Sequence, residues 1–112
     1  MKPVEKTIRY LTDAAILAGR VDRRMGLIEV DWPSGGQGFA DILVAHPDGT
    51  LLIQATSNNG GNHMARVRKL VTECKYVVRT CLERGFKVEV WSWRPGDDED
   101  EPRIQPITLD ML

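Results

Sequence analysis

The stretch Gly38–Ser57, GFADILVAHPDGTLLIQATS, decides how this chain of 112 residues is built. Pro47-Asp48-Gly49 at its centre is turn chemistry, with proline pre-setting φ and glycine admitting a positive one. The flanking segments, Phe39–His46 and Thr50–Thr56, are nearly continuously apolar in the middle, as central strands covered on both faces are. The stretch therefore predicts a hairpin of two interior strands. Its polar residues gather at one end. Asp41 lies near the start of the first strand and Gln54-Ala55-Thr56 near the end of the second. An antiparallel turn brings those ends together. Gln54 and Thr56 are two residues apart and share a face. Such residues either cap strand ends or line a site.

Upstream, Val4, Ile8, Leu11, Ala14, Ala15 and Leu17 fall roughly on one face, which predicts a helix over residues 4–18 with Gly19 as its stop. Leu27–Trp32 reads as a strand in which Glu29 and Asp31 alternate with apolar residues, and residues 33–38 read as a loop. Downstream, a glycine- and asparagine-rich loop over residues 57–62 leads into a long amphipathic pattern. Met64, Val67, Leu70, Val71, Cys74, Val77, Val78, Cys81 and Leu82 predict one helix over His63–Glu83, ended by Gly85. Phe86–Trp93 alternates and predicts a strand, with Trp91 and Trp93 on one face as core or dimer contact. An acidic loop at residues 96–102 and an edge strand over residues 103–109 complete the chain. The order is α-β-β-β-α-β with one further strand. It predicts a single α/β (α+β) domain over residues 1–112, a mixed central sheet flanked by helices.

Composition narrows the function classes. An apolar fraction of 42% and a charged fraction of 28% belong to a soluble globular chain. No apolar run approaches the ~20 residues that span a bilayer. The N-terminus has no secretory pattern, which makes the cytoplasm the expected location and a membrane partner unexpected. The net charge is −1, but Asp97-Asp98-Glu99-Asp100-Glu101 carries −5, so the rest of the chain carries +4. That mildly basic body is compatible with a polyanionic partner. Cys74 and Cys81 are seven residues apart in helical sequence, about 10 Å along the axis. A disulfide needs Cα atoms within about 7 Å, so the pair reads as small core thiols.

The polar end of the hairpin is followed by a helix whose first turns carry Arg66, Arg68 and Lys69, with His63 at its start. Arg66 and Lys69 are three apart and neighbours on the helix surface. An oxygen-rich sheet end beside a cationic helix suits a hard divalent ion and a phosphate. Mg²⁺ needs only one or two carboxylates, with water and substrate phosphate completing its shell. Asp41 supplies a carboxylate, Gln54 an amide oxygen, and Glu29 or Glu5 a second acid.

The element order, Asp41, the Gln54-Ala55-Thr56 triplet and the Ala65-Arg66-Val67-Arg68-Lys69 helix together resemble the PD-(D/E)XK nuclease superfamily. Small phage-type Holliday junction resolvase-like and restriction-endonuclease-like proteins with a Gln-x-Thr motif are the nearest in kind. The resemblance spans roughly residues 5–93 and implies a restriction-endonuclease-like fold and a Mg²⁺- or Mn²⁺-dependent endodeoxyribonuclease acting on DNA, branched DNA included. By position it implies Asp41, Gln54 and Glu29 as metal ligands and Arg66, Arg68, Lys69 and His63 as nucleic-acid contacts. Thr56 stands where the family has lysine, so Lys69 becomes the candidate for that role. A catalytically silent module binding DNA or a protein is the alternative. Cutting two strands takes two sites, so a homodimer is also expected, with the Phe86–Trp93 or Ile104–Leu109 segment as interface.

Overall fold

A nine-residue strand at the centre of one sheet organises the molecule. The computed structural model of the protein describes residues 2–13, 17–20, 40–46, 49–57, 62–94 and 101–112. The elements are helix α1 (Pro3–Asp13), strands β1 (Leu17–Arg20), β2 (Ile42–His46) and β3 (Gly49–Ser57), helices α2 (Asn62–Val71) and α3 (Lys75–Glu83), and strands β4 (Lys87–Trp93) and β5 (Arg103–Ile107). A 3-10 turn follows at Leu109–Met111. The spatial order is β1-β2-β3-β4-β5. The pairs β1–β2, β2–β3 and β4–β5 are antiparallel, and β3–β4 is parallel, joined by α2 and α3. This is a mixed sheet in an α+β arrangement.

Alternation along β3 divides the core. Ile53 and Ala55 pack with Ile42, Val44, Trp91 and Trp93 under α1, where Val4, Ile8 and Leu11 meet them. Leu52 faces the other way, with Val88, Val90 and Ile107, under Val67 and Leu70 of α2, Cys74, and Val78 and Cys81 of α3. Both faces of the middle of β3 are thus covered, which explains its unbroken apolar run. Burying each Ile, Leu or Val side chain contributes roughly 1.5–3 kcal/mol. Tyr10 meets Trp91 and Trp93 edge-on, with centroids 5.6 and 5.9 Å away. The Trp93 Nε1 donates to the fully buried Thr7 Oγ1 at 2.8 Å. The tryptophans are core. Because β4 is paired on both edges, it offers no strand edge for a dimer, and among the described residues β1 and β5 are the edges of the sheet.

Two glycines have conformations that side chains resist. Gly49 starts β3 with φ +133°, and Gly85 follows α3 with φ +86°. At Gly85 the chain turns as a Schellman motif: the Gly85 N–H donates to Leu82 O and the Phe86 N–H to Cys81 O.

The structure differs from the sequence reading at several points. The first helix ends at Asp13, and Leu17-Ala18-Gly19-Arg20 is a strand, with Gly19 opposite Leu43. Helix-compatible residues are recruited there by pairing with β2, where tertiary context overrides weak propensity. The single helix expected over His63–Glu83 is two helices broken at Thr72–Cys74. The Thr72 hydroxyl donates to Arg68 O at 2.6 Å, and the Cys74 N–H reaches back five residues to Lys69 O at 3.1 Å. A threonine bonded to the i−4 carbonyl bends a helix, and the i−5 bond widens the turn that follows. The last strand stops at Ile107, not Leu109. The strand expected over Leu27–Trp32, with Glu29, and the acidic residues Asp97–Asp100 lie outside the described residues. Cys74 and Cys81 are both buried free thiols. Among the described residues no helix is long and apolar enough to cross a membrane.

Candidate functional site

Hairpin register creates the site. Ile42 pairs with Ile53, so Asp41, one residue earlier, stands beside Gln54. The Asp41 N–H donates to Ile53 O at 2.8 Å and extends the ladder by one bond. Its carboxylate folds back over the neighbouring strand. Gln54 Nε2 donates to Asp41 Oδ2 at 2.7 Å, and the Ala55 N–H donates to the same oxygen at 2.9 Å. Two donors on one carboxylate oxygen fix its direction, and bonds to a charged acceptor are stronger than neutral ones.

This cluster opens into a pocket of about 360 Å³ lined by Lys2, Pro3, Val4, Glu5, Asp41, Gln54, Ala55, Arg66 and Lys69. The start of α1 forms one wall and the middle of α2 another. Proline suits the first helical position because its missing N–H has no intrahelical partner to lose. Arg66 and Lys69 reach the pocket together because residues three apart share a helix stripe. Three cations and two carboxylates therefore face one space, with Lys69 half-buried and Arg66 exposed.

The pocket brings together Asp41, Gln54, Lys69 and Arg66, and it adds Glu5. Other expected site residues sit elsewhere. Thr56 is buried, its hydroxyl donating to Ser57 O at 3.5 Å, and it pairs in register with Ser92. Arg68 is exposed and does not line the pocket. Glu29 lies outside the described residues. His63 points inward: it is 2% exposed, and its Nδ1 shares a hydrogen bond with Ser92 Oγ. Burial first, and then the Arg103 guanidinium, hold its pKa below the usual 6.5. The enclosed ring is not among the residues that line the pocket.

Lys2 escaped the sequence reading, because a residue before the helix has no periodic signal and shares the pocket with Asp41 only through the packing of α1. The burial of His63 did leave a signal. His63, Val67, Leu70 and Cys74 are spaced by four, three and four, the core stripe of the helix pair.

The oxygen donors in the pocket, two carboxylates and an amide, are those of a hard divalent cation, and they fit one that keeps several waters. Among the described residues, no group of three or more His, Cys, Asp or Glu side chains could hold a metal ion by itself. Asp41, Glu5 and Gln54 would therefore be partial ligands, with water and a phosphate oxygen supplying the rest. Compared with known protein families, with characterised proteins and with solved structures, the chain matches none.

Proposed function

We propose that the chain is a metal-dependent endodeoxyribonuclease of restriction-endonuclease-like fold, resolvase-like in its substrates, and that the pocket between α1 and α2 is its active site. One observation carries this reading: Asp41, Gln54 and Lys69, expected from sequence to act together, line one pocket with Arg66. The antiparallel β1-β2-β3 run, helical crossover and parallel β4 support it as well.

The division of labour follows from the residues. Arg66 holds a phosphate of the backbone without reading a base. The Lys69 ammonium, on the same wall, orients the attacking water and offsets charge as it develops on the phosphoryl oxygens. Asp41 is held in one direction by Gln54 and the Ala55 N–H, so its carboxylate is preorganised. A bound Mg²⁺ or Mn²⁺ would lower the pKa of its water and polarise the scissile phosphate, with Asp41, Gln54 and Glu5 as the protein's ligands to it.

Incubating the protein with branched, nicked and linear DNA in Mg²⁺ or Mn²⁺ tests the reading. The expected result is cleavage that chelator stops and that Asp41→Ala lowers roughly 10²-fold or more. No metal-dependent cleavage, or an Asp41→Ala protein that cuts like wild type, refutes it.

A second reading, a silent module binding DNA or a protein, draws support from Thr56. It occupies the lysine position and its hydroxyl is buried against the backbone. Salt-sensitive DNA affinity that persists in chelator and in Asp41→Ala marks that module. If two copies act together, β5 is the candidate of the two expected segments, since β4 is enclosed.

A further inference from the structure

The second polar cluster under α2 is built unlike the first. His63 is in the first turn of α2 and only 2% exposed. Its Nδ1 bonds to Ser92 Oγ, itself 2% exposed, in β4. Its Nε2 is buried and has no hydrogen-bond partner among the described residues. Of the two neutral tautomers, the one with the proton on Nδ1 donates to Ser92 and leaves Nε2 as an unpartnered acceptor. The other strands a buried N–H donor, which folded proteins tolerate less often than an unfilled acceptor. The imidazolium is worse than either. It puts an unpartnered N–H and a full charge in a dry site.

Among the described residues, the surroundings offer that charge no relief. The face of the sheet beneath α2 presents Leu52, Gln54 and Thr56 from β3 and Val88, Val90 and Ser92 from β4, all uncharged. From β5, Arg103 is in register with Ser92, and its guanidinium acts on the ring. On α2 the next charge is Arg66, and on the chain before β5 the exposed Glu101 lies two residues from Arg103. Asp41 stands at the start of β2, two strands from β4, and its Oδ2 already takes two donors.

We infer that His63 is a proton-sensitive latch: neutral, it seats the first turn of α2 on Ser92, and a second proton unseats that turn together with Arg66 and Lys69, three and six residues on. The device regulates the position of the cationic wall of the pocket. It holds whether or not the pocket is catalytic, because its readout is the packing of α2. The sign follows from the lowered pKa of the folded state. The latch contributes fully above the unfolded value of about 6.5 and is lost as pH falls towards the folded value. In that window each pH unit raises the unfolding constant by up to about tenfold.

The test uses the full chain between pH 7.5 and 5. NMR titration follows the two histidines, with His46→Gln assigning the His63 signal. Hydrogen-exchange protection factors of Val67 and Leu70 in α2 are compared with those of Leu52 and Ile53 in β3. The expected result is a His63 titration below 6.5, moved upward in Arg103→Gln, with α2 protection falling several-fold on acidification before β3 responds. Urea unfolding of His63→Asn, which keeps a donor near the Nδ1 position, should lack the extra acid sensitivity of wild type. A His63 titration at or above 6.5 overturns the inference. So does loss of protection in α2 and β3 together, or equal acid sensitivity in wild type and His63→Asn. If His63→Asn does not fold, the wild-type titration and exchange data decide alone. DNA cleavage plays no part in any of these readouts, so failure of the nuclease reading leaves them intact.

Discussion

Two polar clusters lie under α2 on the same face of the sheet, and they obey different rules. At the pocket, Asp41, Gln54 and the Ala55 N–H satisfy one another, and Arg66 and Lys69 stand at an opening to solvent. At the seat of the helix, His63 and Ser92 share one bond in a buried site, and a ring nitrogen has no partner among the described residues. Polarity at the open end can meet ligands and ions; polarity at the closed end can only hold or release the helix. Residue type alone does not separate the two. Their exposure does.

Substitutions can break or sharpen that contrast. The largest stability effect at the open end is expected for Asp41→Ala, which leaves Gln54 Nε2 and the Ala55 N–H without their acceptor. Thermal or urea unfolding should show a loss of about 1–3 kcal/mol. Asp41→Asn keeps an acceptor oxygen and should recover much of that loss while remaining deficient in cleavage. If Asn restores cleavage as well, the carboxylate is structural only.

Ser92→Ala probes the closed end. It removes the partner of His63 Nδ1 and should cost about 1 kcal/mol or somewhat more in urea unfolding at pH 7.5, with any loss of cleavage accompanied by that loss of α2 packing. A large loss of cleavage without loss of stability would erase the distinction between the clusters.

The smallest effect belongs to Arg68, exposed and outside the pocket lining. Arg68→Gln should alter stability by no more than about 0.5 kcal/mol. Its DNA affinity should weaken evenly across sequences, with a salt dependence shallower by about one counterion.

Much of this arrangement was legible before the fold. The hairpin announced itself through Pro47-Asp48-Gly49 and two apolar runs, and its antiparallel pairing brings Asp41 beside Gln54. The three-residue spacing of Arg66 and Lys69 put both on one stripe, and both line the pocket. What escaped depends on contacts far apart in sequence. Leu17–Arg20 is a strand only because β2 is there to pair with it. Lys2 joins the pocket only because α1 packs across the sheet. The break after α2 depends on one hydroxyl, that of Thr72, choosing a carbonyl four residues back. The inward turn of His63 was concealed by the chemistry of its side chain, although its spacing from Val67 and Leu70 belongs to the core stripe.

Lys69 carries the central claim, since in the proposed nuclease it would supply the ammonium that Thr56 lacks. Cleavage of branched and linear DNA by wild type and Lys69→Met in Mg²⁺, at matched folded concentration, measures its role most directly. A preserved fold with cleavage reduced roughly 10²-fold, at near-constant DNA affinity, is the predicted result. Equal cleavage by the two proteins, or none by either, contradicts the account.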